Sequence, residues 1–137
     1  MEIAFITSVS VIVANPPESR KLYIDALGLA LEGDEDGYFY SDKIEGSKHF
    51  GVWPLSEAAK SCFGTSEWPD KHPIPQASIE FEVQNSEAVL AAAHELQGKG
   101  FQLLHDVKEE PWGQTIVRVQ SADGAIVGIS YAPSLHE

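Results

Sequence analysis

Ile6-Thr7-Ser8-Val9-Ser10-Val11-Ile12-Val13, followed by Ala14-Asn15-Pro16-Pro17, decides the reading of this chain, because its pattern returns. The second copy is Ala77-Ser78-Ile79-Glu80-Phe81-Glu82-Val83, followed by Gln84-Asn85-Ser86. Both stretches alternate small or polar with apolar residues, the period-2 mark of a strand with one buried face. Each runs into a helix start: Asn15 before two prolines, and Asn85 or Ser86 before an apolar-periodic run. The spacing predicts a first helix over 16–27, with Leu22, Tyr23, Ala26 and Leu27 inward. A second is predicted over 86–97, with Val89, Leu90, Ala93 and Leu96 inward. Gly28 closes the first helix, and Gly98 and Gly100 close the second. Val13 and Val83 stand 70 residues apart and Gly28 and Gly100 stand 72 apart, about half the chain, which points to duplication.

After each helix the pattern predicts three more strands. In the first half they fall at 30–32, 38–41 and 48–53; in the second at 101–107, 115–120 and 125–131, with Asp123-Gly124 as a hairpin turn. The reading is an α+β domain of two β-α-β-β-β modules, 1–53 and 77–133. The connector, 54–76, holds a short helix at 56–62 and then a proline-rich run.

At 137 residues, with 43% hydrophobic and 22% charged, the composition is that of one globular domain. No apolar run approaches the roughly 20 residues a bilayer requires, so no membrane partner is expected. The apolar start at 1–14 carries Glu2 and lacks a basic lead, and it reads as a strand rather than a signal peptide. Cys62 is the only cysteine, which excludes an internal disulfide, fits a reducing cytoplasm and rules out thiolate-rich zinc sites. Nine Lys and Arg against 21 Asp and Glu leave a net charge of −12. Such a surface repels phosphate backbones, so nucleic acid is not an expected partner, and a cationic small molecule is.

Two such modules, with Tyr23 before Leu27-Gly28 and a late Pro111-Trp112-Gly113 ahead of Asp123-Gly124, resemble the vicinal oxygen chelate superfamily. Glyoxalase I, extradiol dioxygenases, fosfomycin-resistance enzymes and bleomycin-resistance proteins are members. The resemblance implies a curved, cupped mixed sheet with helices on its outer face, often completed by a homodimer. Metal-using members carry a His or Gln five residues before the valine ending each first strand, and a Glu between apolar residues on each last strand. The corresponding positions here hold Ser8, Ser78, Gly51 and Gly128. A hydroxyl is a poor ligand for a divalent ion and glycine offers no side chain, so neither a metal nor another cofactor is expected.

If Ser8 and Ser78 face the cup, alternation brings Ser10, Glu80 and Glu82 to the same face, with Gly128 on the last strand. An inward Gly51 puts His49 and Trp53 on that face too, and Trp112 stands on a rim loop. Strand-interior glycines suit close approach by a ligand or a bulge. Aromatic surfaces beside carboxylates suit a flat, cationic molecule. Bleomycin-resistance proteins look similar: acidic, without the metal site, with a Pro-Trp-Gly segment, holding a basic drug without transforming it. Ser8, Ser10, His49, Trp53, Ser78, Glu80, Glu82, Trp112 and Gly128 are therefore the candidate ligand-binding residues. The alternative is a lyase, isomerase or dioxygenase of the same fold, using non-standard metal ligands or a His49, Glu80 and Glu82 acid–base site. His72, His94, His105 and His136 show no ligand spacing and read as surface residues.

Overall fold

Alternating side chains make β1, Phe5–Val13, and β5, Ala77–Glu82, two-faced strands that gain by lying side by side. They pair antiparallel, with Val9 opposite Ile79 and Ser10 opposite Ser78. From this seam each half extends outward in the same order. The further strands are β2 (Glu32–Gly33), β3 (Phe39–Ser41), β4 (Phe50–Pro54), β6 (Lys108–Glu109), β7 (Thr115–Gln120) and β8 (Ile126–Tyr131). The result is one open, curved sheet in the order β2-β3-β4-β1-β5-β8-β7-β6. β4 runs parallel to β1 and β8 parallel to β5, each reached through a helical crossover, so the halves are related by a pseudo-two-fold at the seam. The computed structural model describes residues 1–34 and 37–136.

The helices are α1 (Pro16–Arg20), α2 (Leu55–Phe63) and α3 (Ser86–Gly98). Asn15 and Asn85 cap α1 and α3, their side-chain oxygens accepting from the backbone N–H of Glu18 and Ala88. α3 sets Val89, Ala92 and Ala93 against Val83, Val117 and Ile129 on the outer face. Leu90, expected inward, is exposed instead. α1 departs further from expectation, because it widens after one turn into a π-helical segment, Lys21–Ala26. The backbone N–H of Leu27 reaches back to the carbonyl of Leu22 at 2.9 Å, adding a residue to the turn and rotating the apolar stripe. Tyr23 therefore packs beside Phe50, with ring centroids 6.1 Å apart, while Leu22 and Leu27 are 52% and 59% exposed.

The connector helix does not join α1 and α3 on the outer face. α2 lies on the concave side, where Ala58 and Cys62 pack with Trp53 and Ile126 and fill one end of the cup. Burial pushes the Cys62 thiol up to about 11, as a residue in this cluster requires. Beyond it, Trp68 donates its indole N–H to the Pro73 carbonyl at 2.9 Å and stands edge-on to Phe63, which ties down the proline-rich run.

At the other end, Glu82 is fully buried. Its carboxylate accepts from the hydroxyls of Thr7 (2.7 Å) and Ser130 (2.8 Å), from the backbone N–H of Ala132, and from His136 (2.7 Å). These bonds fasten the C-terminal turn, Pro133–Leu135, across the end of the sheet. Removing the carboxylate leaves its buried donors unpaired. Glu82→Ala should therefore lower unfolding stability by about 3 kcal/mol, with Glu82→Gln costing less, measured by urea denaturation.

Candidate functional site

The concave face between α2, the C-terminal turn and the strands encloses a cavity of about 540 Å³. β1 gives it Thr7, Ser8 and Ser10; a bulge between Ile6 and Ser8 turns Thr7 to the same side as Ser8. β5 supplies Glu80, the first half supplies Tyr38, Tyr40, Asp42, His49 and Trp53, the connector helix α2 supplies Glu57, and the second half supplies Trp112, Gln114 and Arg118.

Six of the nine residues singled out from sequence lie on this wall: Ser8, Ser10, His49, Trp53, Glu80 and Trp112. Three do not. Glu82 is corrected first: it lies on the concave side, but its carboxylate is consumed by Thr7, Ser130, Ala132 and His136, and no part of it is exposed. Ser78 is buried in the seam opposite Ser10. Gly128 is covered, since a Cβ there would meet Ile116 Cδ1 at 3.0 Å and Glu80 Cγ at 3.1 Å. Trp53 belongs to the wall and to the buried α2 cluster at once.

Gly51 has a specific neighbour that neither a bulge nor a ligand supplies. The Tyr38 ring and hydroxyl lie in the place a Cβ would take, so a side chain at 51 fits only if Tyr38 leaves its seat. From that seat Tyr38 opens a hydrogen-bonded line. Its hydroxyl bonds to His49 Nε2, and His49 Nδ1 bonds to Asp42 Oδ1. The rings of Tyr38, Tyr40 and His49 stack on one another, with centroids 5.2 to 5.8 Å apart and planes within 23°. Tyr38 is held well above the usual phenol range by burial first, then by Glu80; Asp42 and Tyr40 add to this and Ser10 offsets part of it.

The facing wall forms a second line. Trp112 donates its indole N–H to Gln114 Oε1 at 2.9 Å, and Gln114 Nε2 donates to Glu80 Oε1 at 2.8 Å. Behind it, Arg118 is 1% exposed, bonded to Glu110 at 3.1 Å, with its guanidinium 5.6 Å from the Trp53 ring centre. Arg118 Nε has no partner among the described residues and is itself buried. Against the cost of burial, Arg118 and Lys108 hold the Glu110 carboxyl below the ordinary range. Burial also raises Glu57, with Asp34 adding to the rise and Lys60 opposing it.

His105, read from sequence as a surface residue, is half-buried instead. Its Nε2 lies 3.2 Å from Arg118 Nη1, and its Nδ1 lies 2.7 Å from the Asp106 carbonyl. Burial, with Arg118 and Lys108, presses it down to about 4.

A match to the glyoxalase/bleomycin resistance protein/dioxygenase superfamily runs over residues 5–129. The chain belongs to that superfamily. Among solved structures it is similar to a superfamily member from Vibrio splendidus 12B01, at 13% identity and TM-score 0.58, covering 96% of this chain and 100% of that one. It is also similar to methylmalonyl-CoA epimerase of Streptomyces coelicolor, at 13% identity and TM-score 0.58, covering 99% of each. A third likeness is to an extradiol ring-cleaving dioxygenase from B. fuscum, at 17% identity and TM-score 0.62, covering 95% of this chain and 33% of that one. No curated protein matches. These likenesses establish the fold and leave the chemistry to the cavity.

The donor set does not suit the superfamily's metal. Of the four positions the resemblance marks, Ser8 and Ser78 carry hydroxyls, while the space in front of Gly51 and Gly128 is taken by Tyr38 and by Ile116 with Glu80. Among the described residues no three His, Cys, Asp or Glu side chains gather as a metal site. The sequence reading missed Tyr38, Tyr40, Asp42 and Gln114. The available signal was Tyr38 and Tyr40 flanking Phe39 on a strand whose neighbour carries glycine.

His105, behind the wall against Arg118, gives the fold a pH signature. Its pKa is depressed on folding, so between about 6.5 and about 4 the unfolded chain binds the extra proton and stability falls as pH falls. His105→Gln should flatten the stability–pH curve in that window, read from urea midpoints at pH 4.5 and pH 7.

Proposed function

We propose that this chain is a metal-independent binding protein that holds a flat, aromatic, positively charged small molecule. The observation that carries the reading is the stacked slab of Tyr38, Tyr40 and His49, which lines a cavity of about 540 Å³ together with the Glu80 carboxylate. Such a volume suits a drug-sized ligand. Stacked rings supply contact area, and indoles at Trp53 and Trp112 extend it. Three carboxylates line the wall (Asp42, Glu57, Glu80), and the one arginine there is neutralised by Glu110. That balance favours a cation.

A second reading rests on the Tyr38–His49–Asp42 line, which has the form of an acid–base unit: a metal-free isomerase or lyase using His49 and Glu80. Glu82 has no part in it, being fully engaged elsewhere.

A thermal-shift panel of cationic dyes, aromatic antibiotics and cationic glycopeptides at low salt separates these readings from a metal site. At a hundredfold excess over Kd a true ligand adds about 2.7 kcal/mol, or several degrees of Tm, and salt weakens the effect. Stabilisation by Fe, Mn, Ni or Zn that His49→Ala abolishes, with no response to any organic cation, overturns the proposal.

We also propose a homodimer, supported by the outer-face side chains Ile6, Leu22 and Leu27, which stand exposed. Light scattering on a sizing column should give twice 14.9 kDa; a mass of 14.9 kDa rejects the dimer.

A further inference from the structure

Around Tyr38 and Glu80, the phenol, imidazole, indole and amide donors of the cavity walls are spent on one another, which leaves acceptors facing inward. Asp42 is an acceptor only, so it takes the Nδ1 proton of His49 and leaves Nε2 to accept from the Tyr38 hydroxyl. With its one proton spent on His49, Tyr38 Oη keeps only lone pairs for whatever enters. Opposite, Glu80 is 9% exposed. Oε1 accepts from Gln114, and Oε2 has no hydrogen-bond partner among the described residues. Gln114's amide N–H is thus committed to Glu80, and the Trp112 indole N–H is committed to Gln114.

Positive charge is equally committed. Arg118 is the one Lys or Arg among the residues lining the cavity; Glu110 neutralises it and His105 takes a second N–H, while its buried Nε–H has no partner among the described residues. The groups facing Tyr38 are Glu80 on β5, Asp42 and His49 on the β3–β4 connection, Tyr40 on β3 and Ser10 on β1. Burial and the negative charges among them raise the cost of a phenolate, which is the signature of a hydroxyl lacking a nearby cation.

Aromatic faces alone attract any cation, including a quaternary ammonium that has no proton to give. Unfilled acceptors are more selective, because a guest without N–H groups leaves them buried and unpaired. Resting on the binding function proposed above, we infer that the cationic group of the ligand bears N–H donors. A protonated amine or an amidinium would bridge Tyr38 Oη and the Glu80 carboxylate while its ring lies on the Tyr38–Tyr40–His49 slab. Quaternary ammonium compounds of the same ring are disfavoured. His49 and Asp42 are then positioning residues, holding the tyrosine proton away from the guest.

Calorimetric titration at pH 7 with three matched probes tests this: 2-naphthylmethylammonium, 2-naphthylmethyl-trimethylammonium and 2-naphthylmethanol. The primary ammonium should bind at least tenfold tighter than the trimethyl compound. Tyr38→Phe, which keeps the ring and its stacking, and Glu80→Gln should each bring that ratio to within about threefold, with circular dichroism confirming that both variants are folded. A trimethyl compound that binds as tightly as the primary one overturns this inference alone, and the wild-type comparison is decisive by itself should either variant misfold. If the neutral alcohol equals both cations, or none of the three binds, the cation-binding function fails and the inference fails with it.

Discussion

The antiparallel seam between β1 and β5 is the constraint on which the rest depends. Each half alone is a four-stranded sheet whose first strand is an exposed edge, and pairing the two first strands covers both of those edges at once. It also sets which side chains meet. With Ser10 opposite Ser78 and Ser8 opposite Glu80, the centre of the concave floor is small and polar, and bulk can enter only from the flanking strands. The cavity is therefore open at its middle and walled by aromatics from β3 and β4 on one side and by the Gln114–Trp112 line on the other. A one-residue slip at the seam exchanges the polar floor for Val9, Val11, Ile79 and Phe81, so register and site are a single specification.

Much of this was legible, and the reasons differ by element. Strand alternation, asparagine caps and half-chain spacing are local signals, and they correctly gave β1, β5, α3 and β7 to within a residue or so. Of the six candidates found on the wall, five followed from parity, because a paired strand has only two faces, and Trp112 from its place on a rim loop. What failed was non-local or required counting through an irregularity. The π-helical widening at Lys21–Ala26 leaves no mark in composition, yet it rotates Leu22 and Leu27 outward. The bulge at Thr7 breaks period 2 for one residue and adds a hydroxyl to the wall. The partnership of Tyr38 with Gly51 depends on β3 and β4 being adjacent, which no single stretch of sequence records.

Glu80 and Glu82 show why parity cannot assign function. They are two residues apart on one strand, point to the same side, and are both at least nine-tenths buried. Glu82 meets donors contributed by β1, β8 and the C-terminal turn, and its charge is dispersed among them. Glu80 meets one amide, from Gln114, and keeps an oxygen toward the cavity. The first is a fastening, and the second is left open to the cavity. The difference lies wholly in the neighbours, not in the residue or its burial.

The glycine at 51 connects the absence of metal donors to the aromatic character of the cavity. A side chain there and the present seat of Tyr38 exclude each other sterically. Placing a carboxylate at 51 would therefore displace Tyr38, break its bond to His49 and disrupt the three-ring slab. Restoring a ligand at that position would mean dismantling the wall, since both need the same volume. The chemistry open to this cavity is accordingly that of stacked rings, an imidazole and carboxylates, with hydroxyls beneath them.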